Sequence, residues 1–274
     1  MGWLPRSSKM GAYLACDYRA ALDRMVDAGD IAAPDDPASP YADLGTCEHF
    51  ELQDGMRCTW PDGDSTAHKY TDAQFANAST FFGRDPERTL SAIRHVAAYS
   101  ALRLPKSPDG MPWRAEWKFK SKYFTGTVDF LSADGTVVGD LKTTSKPPAG
   151  NKIKTPHLIQ MICYHVLTGA KSGWIFYVDS KNGSWSLTIP IDFLSPAMQE
   201  LTEQVKAYAL YLKSKKLFAI AVPRMGEHCS DNFCPYRGTC RDKFMPPAAV
   251  PHDASIVHAK SNMTPFGATA ATKV

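Results

Sequence analysis

The sequence predicts an α/β fold: helices first, then a central mixed sheet crossed by a helix, then a cysteine-rich C-terminal segment. Three observations carry this. Apolar residues recur at helical spacing in stretches between residues 7 and 103. Residues 113–119, 123–131 and 136–142 instead alternate or run apolar, with Gly and Asp between them. A further helical stretch at 153–168 then separates those runs from two more, at 173–179 and 184–191. The 274 residues allow one large domain or two small ones.

The elements follow in order. Residues 7–28 read as one helix, with Tyr13, Leu14, Leu22 and Met25 spaced for one face. The Asp/Pro/Ala-rich stretch 30–40 is a loop and 41–53 a short helix. Asp54-Gly55 and Pro61-Asp62-Gly63 make 54–66 rich in turns. Helices follow at 71–82 and 86–103. The second keeps Leu90, Ile93, Val96, Ala97 and Leu102 in period, with Pro86 suited to its first turn. The runs from 113 to 142 form a meander that turns at Ala133-Asp134-Gly135. Leu158, Ile159, Ile162 and Leu167 mark the crossing helix, and Asn182-Gly183 signals a hairpin between the last two strands. A long helix should cover 195–216. One domain is expected over 1–245: a helical part (1–110), a core (111–220) and a cysteine-rich closure (221–245). Residues 246–274, rich in Ala, Pro, Ser and Thr, should be a loose tail.

No apolar run approaches a membrane span and the start lacks a signal-like apolar core, so a cytoplasmic location is expected. Seven cysteines, an odd number, argue against a disulfide framework. The net charge is only +3 but uneven. Residues 1–64 hold twelve acids against five bases, and 112–160 hold eight bases against four acids. A basic zone around an acidic pair suits a polyanion, although such runs are also ordinary solvated faces.

Chemistry concentrates in the meander. Asp129 should end one strand and Asp140 lie near the end of the next, within several Å of it. Lys142 lies two residues after Asp140, so both side chains share a face while Leu141 points into the core. Two carboxylates beside an ammonium can hold a divalent cation and stabilise a phosphodiester under attack by water. An isolated Asp-x-Lys can equally be a surface ion pair. Here Glu116, on the preceding strand, can face the same site, and Gln160 and Tyr164 stand at i and i+4 on the next helix.

Gly126-Thr127-Val128-Asp129, then Asp140-Leu141-Lys142-Thr143, then Gln160 and Tyr164 resembles the PD-(D/E)XK nuclease superfamily in its RecB-like branch. The resemblance implies a restriction-endonuclease-like sheet and a metal-dependent DNA nuclease, more an exonuclease than an endonuclease. It implies that Asp129 and Asp140 bind a catalytic Mg²⁺ or Mn²⁺, that Lys142 assists the attacking water, and that Gln160 and Tyr164 line the site. The family usually adds a histidine ligand in a Gly-x-x-x-His setting. Gly45-Thr46-Cys47-Glu48-His49 fits, and His68 is a second candidate.

Cys229, Cys234 and Cys240 share a polar loop containing Pro and Gly, which suits thiolates gathered around one centre. Cys16 is the fourth candidate. Its surroundings resemble the start of RecB-like domains that carry a four-cysteine [4Fe–4S] cluster, such as the AddB nuclease domain and CRISPR-associated RecB-like exonucleases. The gap from Cys229 to Cys234 departs from the usual spacing. Zn²⁺ on the same thiolates, or reduced structural cysteines, remain alternatives. Lys146, Lys152 and Lys154 flank a Pro/Gly loop after the catalytic strand and could neutralise phosphates. The implied setting is DNA end processing, recombination, or CRISPR-type or phage DNA handling, with any helicase supplied by a partner. A non-catalytic DNA-binding or assembly protein on the same fold is the alternative.

Overall fold

A computed structural model describes residues 3–34, 39–61, 69–180, 183–214 and 234–236. Helix α1 (Met10–Ala15) follows a 3-10 turn at Ser7–Lys9 and leads into α2 (Asp17–Ala28). The single helix expected over 7–28 is therefore broken, because Cys16 is extended (φ −155°, ψ 104°). Helix α3 (Pro40–Gly55) starts at a Ser39 cap that accepts from the Ala42 N–H. Helix α4 (Asp72–Ala78) starts with a capping box between Thr71 and Gln74. Helix α5 (Pro86–Ala101) is capped by Asp85 with Pro86 in its first turn.

Five strands follow among the described residues: β1 (Arg114–Lys120), β2 (Thr125–Leu131), β3 (Val137–Thr144), β4 (Ser172–Asp179) and β5 (Ser186–Asp192). They lie in the order β1-β2-β3-β4-β5. Only β3 and β4 are parallel, joined by the crossing helix α6 (Thr155–Thr168); the other neighbours are antiparallel. Helix α7 (Pro196–Lys213) ends the described core. The expected mixed sheet with flanking helices is what forms.

The sheet is covered on both sides. Leu52, Val96, Trp113, Phe130, Leu141, Trp174 and Phe176 pack together on the side of α3 and α5. Val138, Met161, Tyr164, Ile175, Tyr177 and Phe193 fill the side of α6. Gly139 sits where an added Cβ would come within 2.1 Å of the Trp174 ring, so its neighbour's indole occupies the space a side chain would need. A third cluster, including Met10, Tyr13, Ile162, Cys163, Val205 and Leu212, joins α1, α6 and α7. No helix among the described residues is long and apolar enough to cross a membrane.

Candidate metal-binding active site

Strand register brings the acidic residues together. Phe130 pairs with Gly139 and Leu131 with Val138. Continuing that register sets Asp129 opposite Asp140, where the ladder between β2 and β3 stops. On the other side, Ala115 pairs with Phe130 and Trp117 with Val128, which sets Glu116 opposite Asp129. Glu116 adopts φ +56°, a left-handed conformation uncommon outside glycine. The alternation of faces breaks there too. Phe130 packs on the α3 side, while Val128, two residues earlier, packs on the α6 side.

Asp140 is fully buried. Its Oδ1 accepts a hydrogen bond from Lys142 Nζ at 3.0 Å, while its Oδ2 has no hydrogen-bond partner among the described residues. Burial, helped by the Asp129 charge and opposed by Lys142, pushes the Asp140 carboxyl up to about 8. Burial acts against the Lys142 ammonium, but the charges of Asp140 and Asp129 outweigh it and raise its pKa above the ordinary lysine value. Lys142 is thus held as a cation. Tyr177, paired with Lys142 across the parallel ladder, meets His157 Nδ1 at 2.8 Å. Burial, with the charges of Lys142 and Lys154, pushes His157 down to about 3 and leaves its ring neutral.

Asp129 accepts from Tyr164 Oη at Oδ1 (3.0 Å) and from the Leu141 N–H at Oδ2 (3.4 Å). Gln160 Nε2 donates to Tyr164 Oη at 2.7 Å. The i, i+4 pair expected on α6 therefore forms one chain that ends on Asp129. Burial, then Asp129, raises the Tyr164 hydroxyl well above its ordinary value, so it stays a donor.

His49 comes from α3. Gly45, one turn earlier, lies where an added Cβ would sit 2.7 Å from Thr143 Oγ1, so glycine lets the helix rest on β3. His49 Nε2 lies 2.8 Å from the Leu141 carbonyl oxygen. That oxygen can only accept, so Nε2 carries the proton and Nδ1 keeps its lone pair. Burial lowers the His49 pKa despite the Asp129 charge. The Nδ1 lone pair then faces Asp129 Oδ2 at 3.7 Å. Two electron-rich atoms placed so favour a cation or a hydrogen-bond donor between them. Ligand atoms of His49, Glu116 and Asp129 lie within 4.8 Å of one another. Burial and the Asp129 charge push Glu116 up to about 7. Asp140, expected as a ligand, neighbours Asp129 but is not one of these three. The donor set of one neutral nitrogen and carboxylate oxygens suits a hard divalent ion such as Mg²⁺ or Mn²⁺.

A family model for the PD-(D/E)XK nuclease superfamily matches residues 7–241. The chain belongs to that superfamily. No curated protein matches it significantly. Similar solved structures include SSO0001 (12% identity, 82% of this chain and 94% of that one, TM-score 0.36). A phage-related exonuclease from Haemophilus somnus 129PT is 14% identical over 63% of this chain and 95% of that one, TM-score 0.35. An alkaline exonuclease, LHK-Exo, from Laribacter hongkongensis is 15% identical over 65% and 93%, TM-score 0.33.

Within this PD-(D/E)XK chain, two groups escaped the sequence reading. Gln53 lies one turn beyond His49 and donates through Nε2 to Glu116 Oε1 and to the Asp129 carbonyl, both at 3.1 Å. The signal was present as Gly45, His49 and Gln53 at successive i+4 steps. The second is a cleft of about 440 Å³ beside Asp129, Gln160 and Tyr164, walled also by Arg6, Ser7, Ser8 and Lys118. Gly126 admits this N-terminal stretch, since a Cβ there would fall 2.0 Å from Ser7 Oγ. Nothing local in the sequence placed residues 6–8 beside the site.

Lys146, Lys152 and Lys154 are exposed in the connection from β3 to α6, around a 3-10 turn at Ala149–Asn151. Cys47, Cys58 and Cys163 are buried thiols; burial pushes Cys47 and Cys58 up to about 12. Cys229, Cys240 and His68 lie outside the described residues. Cys16 is buried and Cys234 partly so.

Proposed function

We propose that this protein is a Mg²⁺- or Mn²⁺-dependent deoxyribonuclease acting as an exonuclease in DNA end processing, recombination, or CRISPR-type or phage DNA handling. The observation that carries the nuclease reading is the convergence of His49, Glu116 and Asp129 at ligand spacing beside the buried Asp140–Lys142 pair. The exonuclease preference and the cellular setting rest on the sequence resemblance. When bound, the divalent ion would neutralise a phosphate oxygen and lower the pKa of its water.

The chain's own groups divide the remaining work. Lys142 stays protonated, so it orients the nucleophile and offsets developing negative charge rather than taking a proton. Tyr164, held by Gln160, fixes the Asp129 carboxylate. Arg6 and Lys118 in the cleft, with Lys146, Lys152 and Lys154 outside it, supply cations for backbone phosphates.

The test is digestion of end-labelled single- and double-stranded DNA with Mg²⁺, Mn²⁺ or chelator. Wild-type protein should cleave only with metal, and Asp140→Asn should not cleave while remaining folded. Full activity in that variant would sink the assignment. Cutting of a covalently closed circle would reject the exonuclease mode.

We also infer that Cys16, Cys229, Cys234 and Cys240 bind one structural centre, a [4Fe–4S] cluster in preference to Zn²⁺. Support comes from two places. Cys16 leaves the helical path between α1 and α2. Tyr236 Oη donates at 2.5 Å to Asp23 Oδ1 on α2, which holds the Cys234-Pro235-Tyr236 stretch against that helix. Iron and zinc analysis of anaerobically purified protein decides between the centres, and neither metal at stoichiometric level rejects both.

A further inference from the structure

The metal reading leaves one buried amide without an assigned task. Gln53 is 0% exposed on α3. An amide between helix and sheet is costly unless it is bonded, and its Oε1 has no hydrogen-bond partner among the described residues. Packing alone would favour methionine or leucine. What the residue does make is two bonds from a single nitrogen, to Glu116 Oε1 and to the Asp129 carbonyl.

Those bonds oppose two tendencies of the metal-free site. Once Glu116 ionises, it and Asp129 are like charges set opposite each other, and repulsion favours turning one away. Glu116 lies on β1, which is an edge strand, and its backbone is held at φ +56°. The Gln53 amide is the donor that keeps this carboxylate turned inward. Because His49 sits one turn earlier on the same helix, α3 sets ligand and brace together.

Resting on the reading of this site as a metal-dependent nuclease centre, we propose that Gln53 is a positioning residue. Its amide holds Glu116 and the Asp129 backbone at ligand spacing before any ion arrives and so raises the affinity of the site for Mg²⁺ or Mn²⁺.

The experiment is calorimetric titration of chelator-stripped, full-length protein with MnCl₂, alongside its melting midpoint without metal. Gln53→Met keeps length and apolar bulk but removes the donor. It should weaken Mn²⁺ binding about tenfold or more, with a metal-free midpoint equal to or above that of the wild type. A merely structural glutamine would give the opposite pattern, a lowered midpoint and unchanged affinity. Affinity within about twofold of wild type overturns the proposal. If Gln53→Met does not fold, Gln53→Asn carries the same expectation, since its amide is one methylene too short. Wild-type protein that binds no Mn²⁺ would reject the metal reading itself, whereas tight and equal binding by both proteins rejects only the role of Gln53.

Discussion

Tyr164→Phe isolates the hydrogen-bond chain that ends on Asp129. Tyr164 is 1% exposed, and its ring packs in the α6-side core, which phenylalanine would preserve. The change deletes one oxygen. Asp129 Oδ1 loses the donor at 3.0 Å, while the longer bond from the Leu141 N–H at 3.4 Å remains. A hydrogen bond to a charged group contributes about 1.5–3 kcal/mol. At about 1.4 kcal/mol per tenfold, full expression in the transition state would lower kcat/KM about 10- to 100-fold. Some of that energy also orders the metal-free site, so the lower end, about tenfold, is expected. The assay is steady-state digestion of end-labelled duplex DNA across a Mn²⁺ titration. Gln160→Leu serves as a companion and should cost less, because Gln160 acts through Tyr164. A Tyr164→Phe enzyme within about twofold of wild type at every Mn²⁺ concentration would refute the idea that this chain positions Asp129.

Three further outcomes follow from the geometry. Without metal, Glu116 titrates at about 7 and Asp140 at about 8, both above ordinary carboxylates. The folded chain therefore binds more protons than the unfolded one between about pH 4 and pH 8, and metal-free stability falls as pH rises through that window. A divalent ion competes with those protons, so calorimetry should show Mn²⁺ binding tighter at about pH 8.5 than at about pH 6.5; a flat or falling affinity contradicts this. Gly45→Ala forces a Cβ to 2.7 Å from Thr143 Oγ1. It should destabilise by about 1–3 kcal/mol in denaturant melts and weaken Mn²⁺ binding by shifting His49. Replacing Lys146, Lys152 and Lys154 with Gln should flatten the log–log salt dependence of DNA binding by about 2–3 in slope, without changing Mn²⁺ affinity.

Much of the fold was legible because most elements carry their own signals. Helices capped by Ser39, Thr71 and Asp85 start within one residue of the expected 41, 71 and 86, and Asp140, Leu141 and Lys142 divide between faces as strand alternation requires. Cys16 was not legible as a break, since its flanks keep helical spacing on both sides. Glu116 was foreseen near the site but not in a left-handed backbone. That conformation follows from the place where two strands change face together, and no local residue preference announces it. Gln53 was passed over because glutamine late in a helix usually faces solvent.

The sequence by itself determined the α/β order, the Asp129–Asp140–Lys142 set and the Gln160–Tyr164 pair, because spacing along a strand or helix dictates which side chains share a face. Tertiary structure alone decided the rest. It set His49 Nδ1 toward Asp129, turned Glu116 inward under Gln53, left Asp140 Oδ2 without a donor among the described residues, and laid residues 6–8 along the cleft. Those outcomes depend on how closely α3, β3 and the N-terminal stretch approach one another. Close approach is set by packing between distant segments, at positions such as Gly45 and Gly126 where a missing Cβ makes the room.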